Sequence, residues 1–176
     1  MKNIKNKQGY SQNYLRIRSA KKEDAELILD FIRRLAVYEK RLHEVIASKN
    51  DIIDAIFNRK IAEAIIAEYK GRPAGFAIFF YNFSTFLGKP GIYIEDLFVN
   101  PEHRGKGIGK LLFASIAKLA VERKCCRIEW TVLHWNEPSI KFYENIGAQL
   151  KDEWVIYKMS GDALTDIAGI ASKYFD

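Results

Sequence analysis

Apolar and polar positions along the chain change their period several times, and each change marks a predicted element. Residues 14–19, YLRIRS, alternate as a strand does. Over KEDAELILDFIRRLAVYEKRL the period lengthens, and Ala25, Ile28, Leu29, Ile32, Leu35 and Ala36 fall at helical spacing. Ser48 and Asp51 predict a cap for a second helix, KNDIIDAIF. The segment AEAIIAEY (62–69) reads as a strand and KGRP as a turn. AGFAIFFYNFSTF (74–86) is a long aromatic strand, LGKPG breaks the chain, and IYIEDLFV (92–99) is a further strand. A glycine-rich stretch leads into a helix through LLFASIAKLAVERK, and RIEWTVL (127–133) is a strand. NEPSIKFYENIG predicts a short helix ended by Gly147. EWVIYKM (153–159) predicts one more strand, and DALTDIAGIASKYF a terminal helix. Short turns join antiparallel neighbours first and a crossover follows, so the fold class is α/β: a mixed sheet covered by helices.

Length and composition narrow the class. The 176 residues suit a single domain over 14–176, behind a polar, basic leader at 1–13 that reads as flexible. Apolar residues make 48% and charged residues 28%, an ordinary soluble composition. No apolar run is long enough for a membrane span, and the leader lacks the apolar stretch of a secretory signal. Cys125 and Cys126 are adjacent, which suits neither a disulfide framework nor a metal-ligand spacing. They fit a reducing, cytoplasmic setting. His43 and His103 have no ligand partner at useful spacing, so no metal site is expected.

Net charge is +6, and it is dispersed apart from His103, Arg104, Lys106 and Lys110. A basic surface attracts polyanions. The aromatic run from Phe76 to Phe86 carries no lysine and reads as core, which argues against nucleic acid as a partner. A membrane is not expected as a partner either.

The basic cluster lies in VNPEHRGKGIGKLL (99–112), where Gly105, Gly107 and Gly109 alternate at the start of a helix. Glycine costs a helix about 1 kcal/mol relative to alanine, so this turn needs bare backbone. Strand, glycine-rich turn and helix together make an anion site, because the first amides of a helix lack internal partners and face the positive end of the dipole. Gly109-Lys110 is followed by Leu111, so the nucleotide P-loop does not fit. The spacing Gly105-x-Gly107-x-Gly109 is not the dinucleotide fingerprint either.

The pattern Arg-x-x-Gly-x-Gly, carried by Arg104, Gly107 and Gly109, resembles the acetyl-coenzyme A signature of the GNAT acyltransferases. The segments LAVYEK (35–40), YIEDLFV (93–99), HRGKGIG (103–109) and WNEPSIKFYENIGA (135–148) look closest to the spermidine/spermine (diamine) N-acetyltransferase branch, over roughly residues 14 to 160. The resemblance implies the GNAT fold, a mostly antiparallel central sheet flanked by helices. It implies acetyl-CoA as cosubstrate, with no metal, and a homodimer.

It also implies roles. Glu95 would bind the amine and relay its proton, and Tyr143 would protonate the departing thiolate. Leu97, Phe98 and Val99 would bind the pantetheine arm through their backbone, with one of their amides facing the developing oxyanion. Arg104, Gly105, Lys106, Gly107, Ile108, Gly109 and Lys110 would cradle the pyrophosphate. Asn136, Glu137, Pro138 and Ser139 would line the cofactor arm. Tyr38 and Glu39 match a pair that helps hold the amine, and Glu129, Trp130 and Glu153 are further candidates for that pocket. In a regular strand Asp96 would point away from Glu95. Acidic residues on a basic protein suit a small cationic amine beside a polyanionic cofactor. His134 stands where the family's pattern is not basic. The acceptor stays open between a polyamine, a lysine-like amino acid such as thialysine, and a protein amine. A non-catalytic acyl-CoA-binding module is the alternative outside the enzymes.

Overall fold

The structure is a computed structural model that describes residues 14–171. The leader at 1–13 and residues 172–176, where the predicted terminal helix would continue, lie outside the described residues. The chain divides into two compact units, Met1–Thr131 and Val132–Asp176. In the first, strand β1 (Leu15–Ser19) leads to helix α1 (Ala25–Tyr38), and helix α2 (Lys49–Ile52) widens into a π turn over Ile53–Asn58. Strands β2 (Glu63–Tyr69), β3 (Arg72–Ser84) and β4 (Lys89–Val99) precede helix α3 (Ile108–Glu122) and strand β5 (Ile128–Trp130). The second unit carries helices α4 (Glu137–Asn145) and α5 (Asp162–Ala171).

The sheet has five strands in the order β1-β2-β3-β4-β5. The first three pairings are antiparallel, and β4 with β5 is parallel. This is the mixed, mostly antiparallel sheet that the periodicity and the resemblance imply. Local chemistry sets its joints. Lys70 and Gly71 have φ of 51° and 73°, the two left-handed residues that a tight hairpin needs between β2 and β3. Ser48 Oγ accepts from Asp51 N at 3.3 Å while Asp51 Oδ2 accepts from Ser48 N at 2.8 Å, the predicted cap of α2.

The two faces of the sheet bury separate cores. Phe76, Ile78 and Phe98 meet Ala25, Ile28, Leu29 and Phe31 of α1. Phe31 stacks on Phe76 with centroids 5.2 Å apart. On the other face Ala77, Phe79, Ile92 and Ile94 meet Ile108, Leu112 and Ile116, one stripe of α3. Each of the isoleucine, leucine and phenylalanine side chains among them contributes about 1.5–3 kcal/mol by leaving water.

Two predicted strands come out differently. β5 spans 128–130 rather than 127–133, because it pairs with β4 only from Ile92↔Ile128 to Ile94↔Trp130, where β4 changes register. Residues 153–159 form no strand. A ladder needs a neighbouring backbone, and the elements of the second unit are both helices. Trp154, Val155, Ile156, Tyr157 and Met159 stay exposed there.

Candidate active site

The centre of the site is an irregularity in β4. Ile78 stands opposite Asp96 and Phe79 opposite Ile94, so Glu95 is an extra residue with no partner across the ladder. Such a bulge resets the alternation of the strand. Ile92 and Ile94 face α3, and beyond the bulge Leu97 and Val99 take over that face. Asp96 and Phe98 fall on the α1 face, opposite Ile78 and Phe76. The strand is therefore not regular, and the expectation that Asp96 simply alternates with Glu95 does not hold.

The bulge gathers charge. Glu95 is exposed. The carboxyl of Asp96 is pushed up to about 7 by burial first, and then by the Glu95 and Glu39 carboxylates. Glu39 caps the C-terminal end of α1, its N–H donating to Leu35 O at 2.9 Å. Burial raises its carboxyl above the ordinary value, Arg41 pulls it back and Glu44 adds to the rise. Glu39 and Glu95 thus both add to the rise of the Asp96 carboxyl. Sequence reasoning did not single out Asp96. Its signal is the phase slip in IYIEDLFV, where apolar positions step from 92 and 94 to 97 and 99.

The bulge also frees backbone. β4 pairs with β3 along its length but with β5 only up to Ile94. Among the described residues the other edge of 95–99 has no strand partner, so Leu97, Phe98 and Val99 can accept an extended chain as an added strand. The Phe98 side chain is core, 6.2 Å from the Phe31 ring.

Downstream, Pro101–His103 form one 3-10 turn, and Gly105 and Gly107 follow with φ of 74° and 79°. The first helical bond of α3 runs from Leu111 N to Gly107 O at 3.0 Å. The amides of Ile108, Gly109 and Lys110 therefore have no partner within the helix. Gly109 sits in ordinary helical backbone, and a Cβ there would meet only Val99 Cγ2, at 3.8 Å. Neither conformation nor packing demands glycine at 109, and the remaining reason is a group approaching the amides. The turn thus fits a pyrophosphate. Ile108 itself is buried in the α3 core, so only its backbone is available.

The cations of the turn are not equally available. Lys106 Nζ donates to Glu102 O at 2.6 Å and stands 5.1 Å from the Tyr69 ring centroid. Arg104 Nε donates to Val99 O at 3.2 Å, and its guanidinium lies 4.7 Å from the centre of the Tyr38 ring. Lys110 is exposed on the first turn of α3.

Two pocket candidates are otherwise engaged. Glu129 accepts from Asn82 Nδ2 at 2.6 Å and pairs with Arg127 Nε at 2.8 Å. Trp130 packs edge-on against Phe113, on the α3 side of the sheet. Among the described residues no group of three His, Cys, Asp or Glu could hold a metal ion.

In the second unit, Asn136 caps α4 by accepting from Ser139 N at 3.4 Å, and Pro138 stands in the first turn, where a missing N–H costs nothing. Glu137 pairs with Lys141 at 3.4 Å. Ala148 N donates to Tyr143 O at 3.0 Å past Gly147, whose φ is 91°, closing α4 as predicted. Burial pushes the Tyr143 hydroxyl up to about 12. Glu153 is exposed and pairs with Lys151 at 3.7 Å.

The profile of the acetyltransferase (GNAT) family matches residues 28–148. The chain belongs to this family. Members take the acetyl group from acetyl-CoA. An L-ornithine N5-acetyltransferase of Arabidopsis thaliana is 32% identical over 88% of each chain. A thialysine N-epsilon-acetyltransferase of Bos taurus is 32% identical over 89% of this chain and 98% of its own. Among solved structures, an integron cassette protein from the mobile metagenome of V. cholerae superposes with a TM-score of 0.74. It is 28% identical, over 88% of this chain and 98% of its own. Among the described residues no helix of this GNAT protein is long and apolar enough to cross a membrane.

Proposed function

We propose that this GNAT protein transfers the acetyl group of acetyl-CoA to a primary amine of a small, multiply charged amine, a diamine or polyamine. The observation that carries the reading is the bulge in β4, which exposes the Glu95 carboxylate and sets Asp96 on the side of α1, where burial, Glu95 and Glu39 raise its carboxyl, on a chain whose net charge is +6. A cationic acceptor is attracted there, while the basic turn takes the polyanionic cosubstrate.

Acetyl-CoA supplies a thioester carbonyl for attack. An amine is mostly ammonium at neutral pH and must lose a proton before it can attack. Glu95, exposed at the bulge, accepts that proton directly or through water. The nitrogen–carbon bond forms, the carbon–sulfur bond breaks, and the nitrogen releases its second proton to solvent. Tyr143 then donates to the departing thiolate; a tyrosine hydroxyl is protonated at neutral pH even without the rise that burial gives this one. Leu97, Phe98 and Val99 hold the pantetheine arm along their open edge. The amides of Ile108, Gly109 and Lys110 hold the pyrophosphate. Asn136 to Ser139 line the arm.

A lysine-like amino acid is a second reading, favoured by relatives whose names give L-ornithine and thialysine as acceptors. Such acceptors add a carboxylate to the cationic amine. A homodimer belongs to the same proposal, supported by the exposed apolar run from Trp154 to Met159.

The test is a panel of amines with acetyl-CoA, read as thiol release. Turnover of diamines or polyamines above ornithine and thialysine supports the first reading. The reverse order supports the second. Coenzyme A binding without thiol release from any amine means a non-catalytic module.

A further inference from the structure

Arg104 opens the signature of the cofactor turn, yet its side chain turns back onto the protein. Its Nε donates to Val99 O at 3.2 Å, at the end of β4. Its guanidinium lies 4.7 Å from the centre of the Tyr38 ring and 5.8 Å from that of Phe98. Both distances fall within reach of a cation–π contact. One arginine therefore joins the glycine turn to the end of β4 and to the last residue of α1.

That last residue is followed at once by the carboxylate of the amine site. Glu39 N donates to Leu35 O at 2.9 Å, Lys40 turns with φ of 61°, and Arg41 N donates to Ala36 O at 2.8 Å. The helix end is closed by its own hydrogen bonds, so Tyr38 and Glu39 move together. The ring meets the cofactor turn, and the carboxylate couples to Asp96.

We propose that Tyr38 and Arg104 form a positioning pair that holds the glycine turn against α1, so that Tyr38 serves coenzyme A binding through Arg104. The proposal rests on the reading of the turn as a pyrophosphate cradle. It assigns Tyr38 a task other than touching the amine. The ring holds the guanidinium by its face, so the pair depends on an aromatic ring at 38 and not on the hydroxyl.

The test is calorimetric binding of coenzyme A to the full chain, with the thermal midpoint of each variant as the folding check. Tyr38→Phe keeps the ring and binds within about twofold of wild type. Tyr38→Leu and Arg104→Met each weaken binding by about three- to tenfold, the range of one such contact. The double variant binds no more weakly than the weaker single one, because both changes remove the same contact. Tyr38→Met fills the same space with a flexible chain and replaces Tyr38→Leu if that variant does not fold.

Wild-type affinity in the ringless variant, losses that multiply in the double variant, or a Tyr38→Phe as weak as Tyr38→Leu would each overturn the pair. Gly109→Val separates the two readings. If it binds poorly while Tyr38→Leu binds normally, the cradle stands and the pair alone fails. If it binds coenzyme A as wild type does, the cradle fails and the pair with it.

Discussion

At Glu95, Asp96 and Tyr143 small changes in chemistry have distinct expected outcomes. Glu95→Gln keeps the size of an exposed side chain and removes its charge. Turnover at neutral pH should fall by about 10²-fold or more, with partial recovery at higher pH where more free amine exists. A pH–rate profile equal to wild type would leave Glu95 a surface residue. Tyr143→Phe should lower turnover by about 10²-fold, the low end for a general acid, since water can protonate a thiolate. The ring still packs, so the dissociation constant for acetyl-CoA should hold. Weaker affinity with a normal rate would make Tyr143 a cofactor contact. Asp96 bears on stability. Its carboxyl is pushed up to about 7 by burial and by Glu95 and Glu39, so from about pH 4 to 7 the folded chain keeps a proton that the unfolded chain releases. Stability should fall as pH rises through that window and level off above it. Asp96→Asn should match wild type near pH 4 and exceed it by about 1–3 kcal/mol at about pH 8, in urea unfolding. Parallel curves for the two proteins would contradict this.

At the scale of elements, the turn into α3 separates folding from binding. Gly105 and Gly107 need left-handed backbone, with φ of 74° and 79°, and a side chain there strains the chain itself. Gly109 lies in helical backbone with room for a Cβ, so Gly109→Ala should stabilise the free protein by up to about 1 kcal/mol. The same change should weaken coenzyme A binding by crowding the amides. A raised melting midpoint with a raised dissociation constant is the expected pair of results. Unchanged affinity would remove the cradle assignment. The bulge in β4 is the complementary element. It ends the pairing with β5 at Ile94, leaves the edge of 95–99 open, and sets Asp96 on the side of α1.

At the scale of the whole molecule, the expected dimer follows from the family resemblance, and the predicted strand at 153–159 would have offered it a sheet edge. That strand is absent, and the run from Trp154 to Met159 is exposed instead, with Tyr157 at 92%. Exposed apolar runs of this kind mark association surfaces. Light scattering at micromolar concentration should give the mass of two chains. Replacing Val155 and Ile156 by lysine should shift it toward one. A single-chain mass for wild type would contradict the dimer.

Most of the fold was legible in the sequence because local period dictates local structure. The stripe from Ala25 to Ala36 can only bury as a helix, Ser48 and Asp51 cap as paired donors and acceptors do, and three glycines in five residues cannot be helix interior by preference. The signature around Arg104, with the strand before it and the helix after it, likewise marks the turn proposed to hold the cofactor. What only the tertiary structure decided depends on partners distant in the chain. EWVIYKM has a strand's pattern but forms no strand in a unit whose elements are helices, and RIEWTVL is cut short by a change of register in β4. Trp130 faces α3 because Ile94 does. Asp96 joins Glu39 and Glu95 only because one unpaired residue shifts the pleat. Arg104 meets Tyr38 only because the end of α1 and the end of β4 are brought side by side. Periodicity reads each segment's own preference, whereas pairing, register and charge coupling are properties of two segments at once.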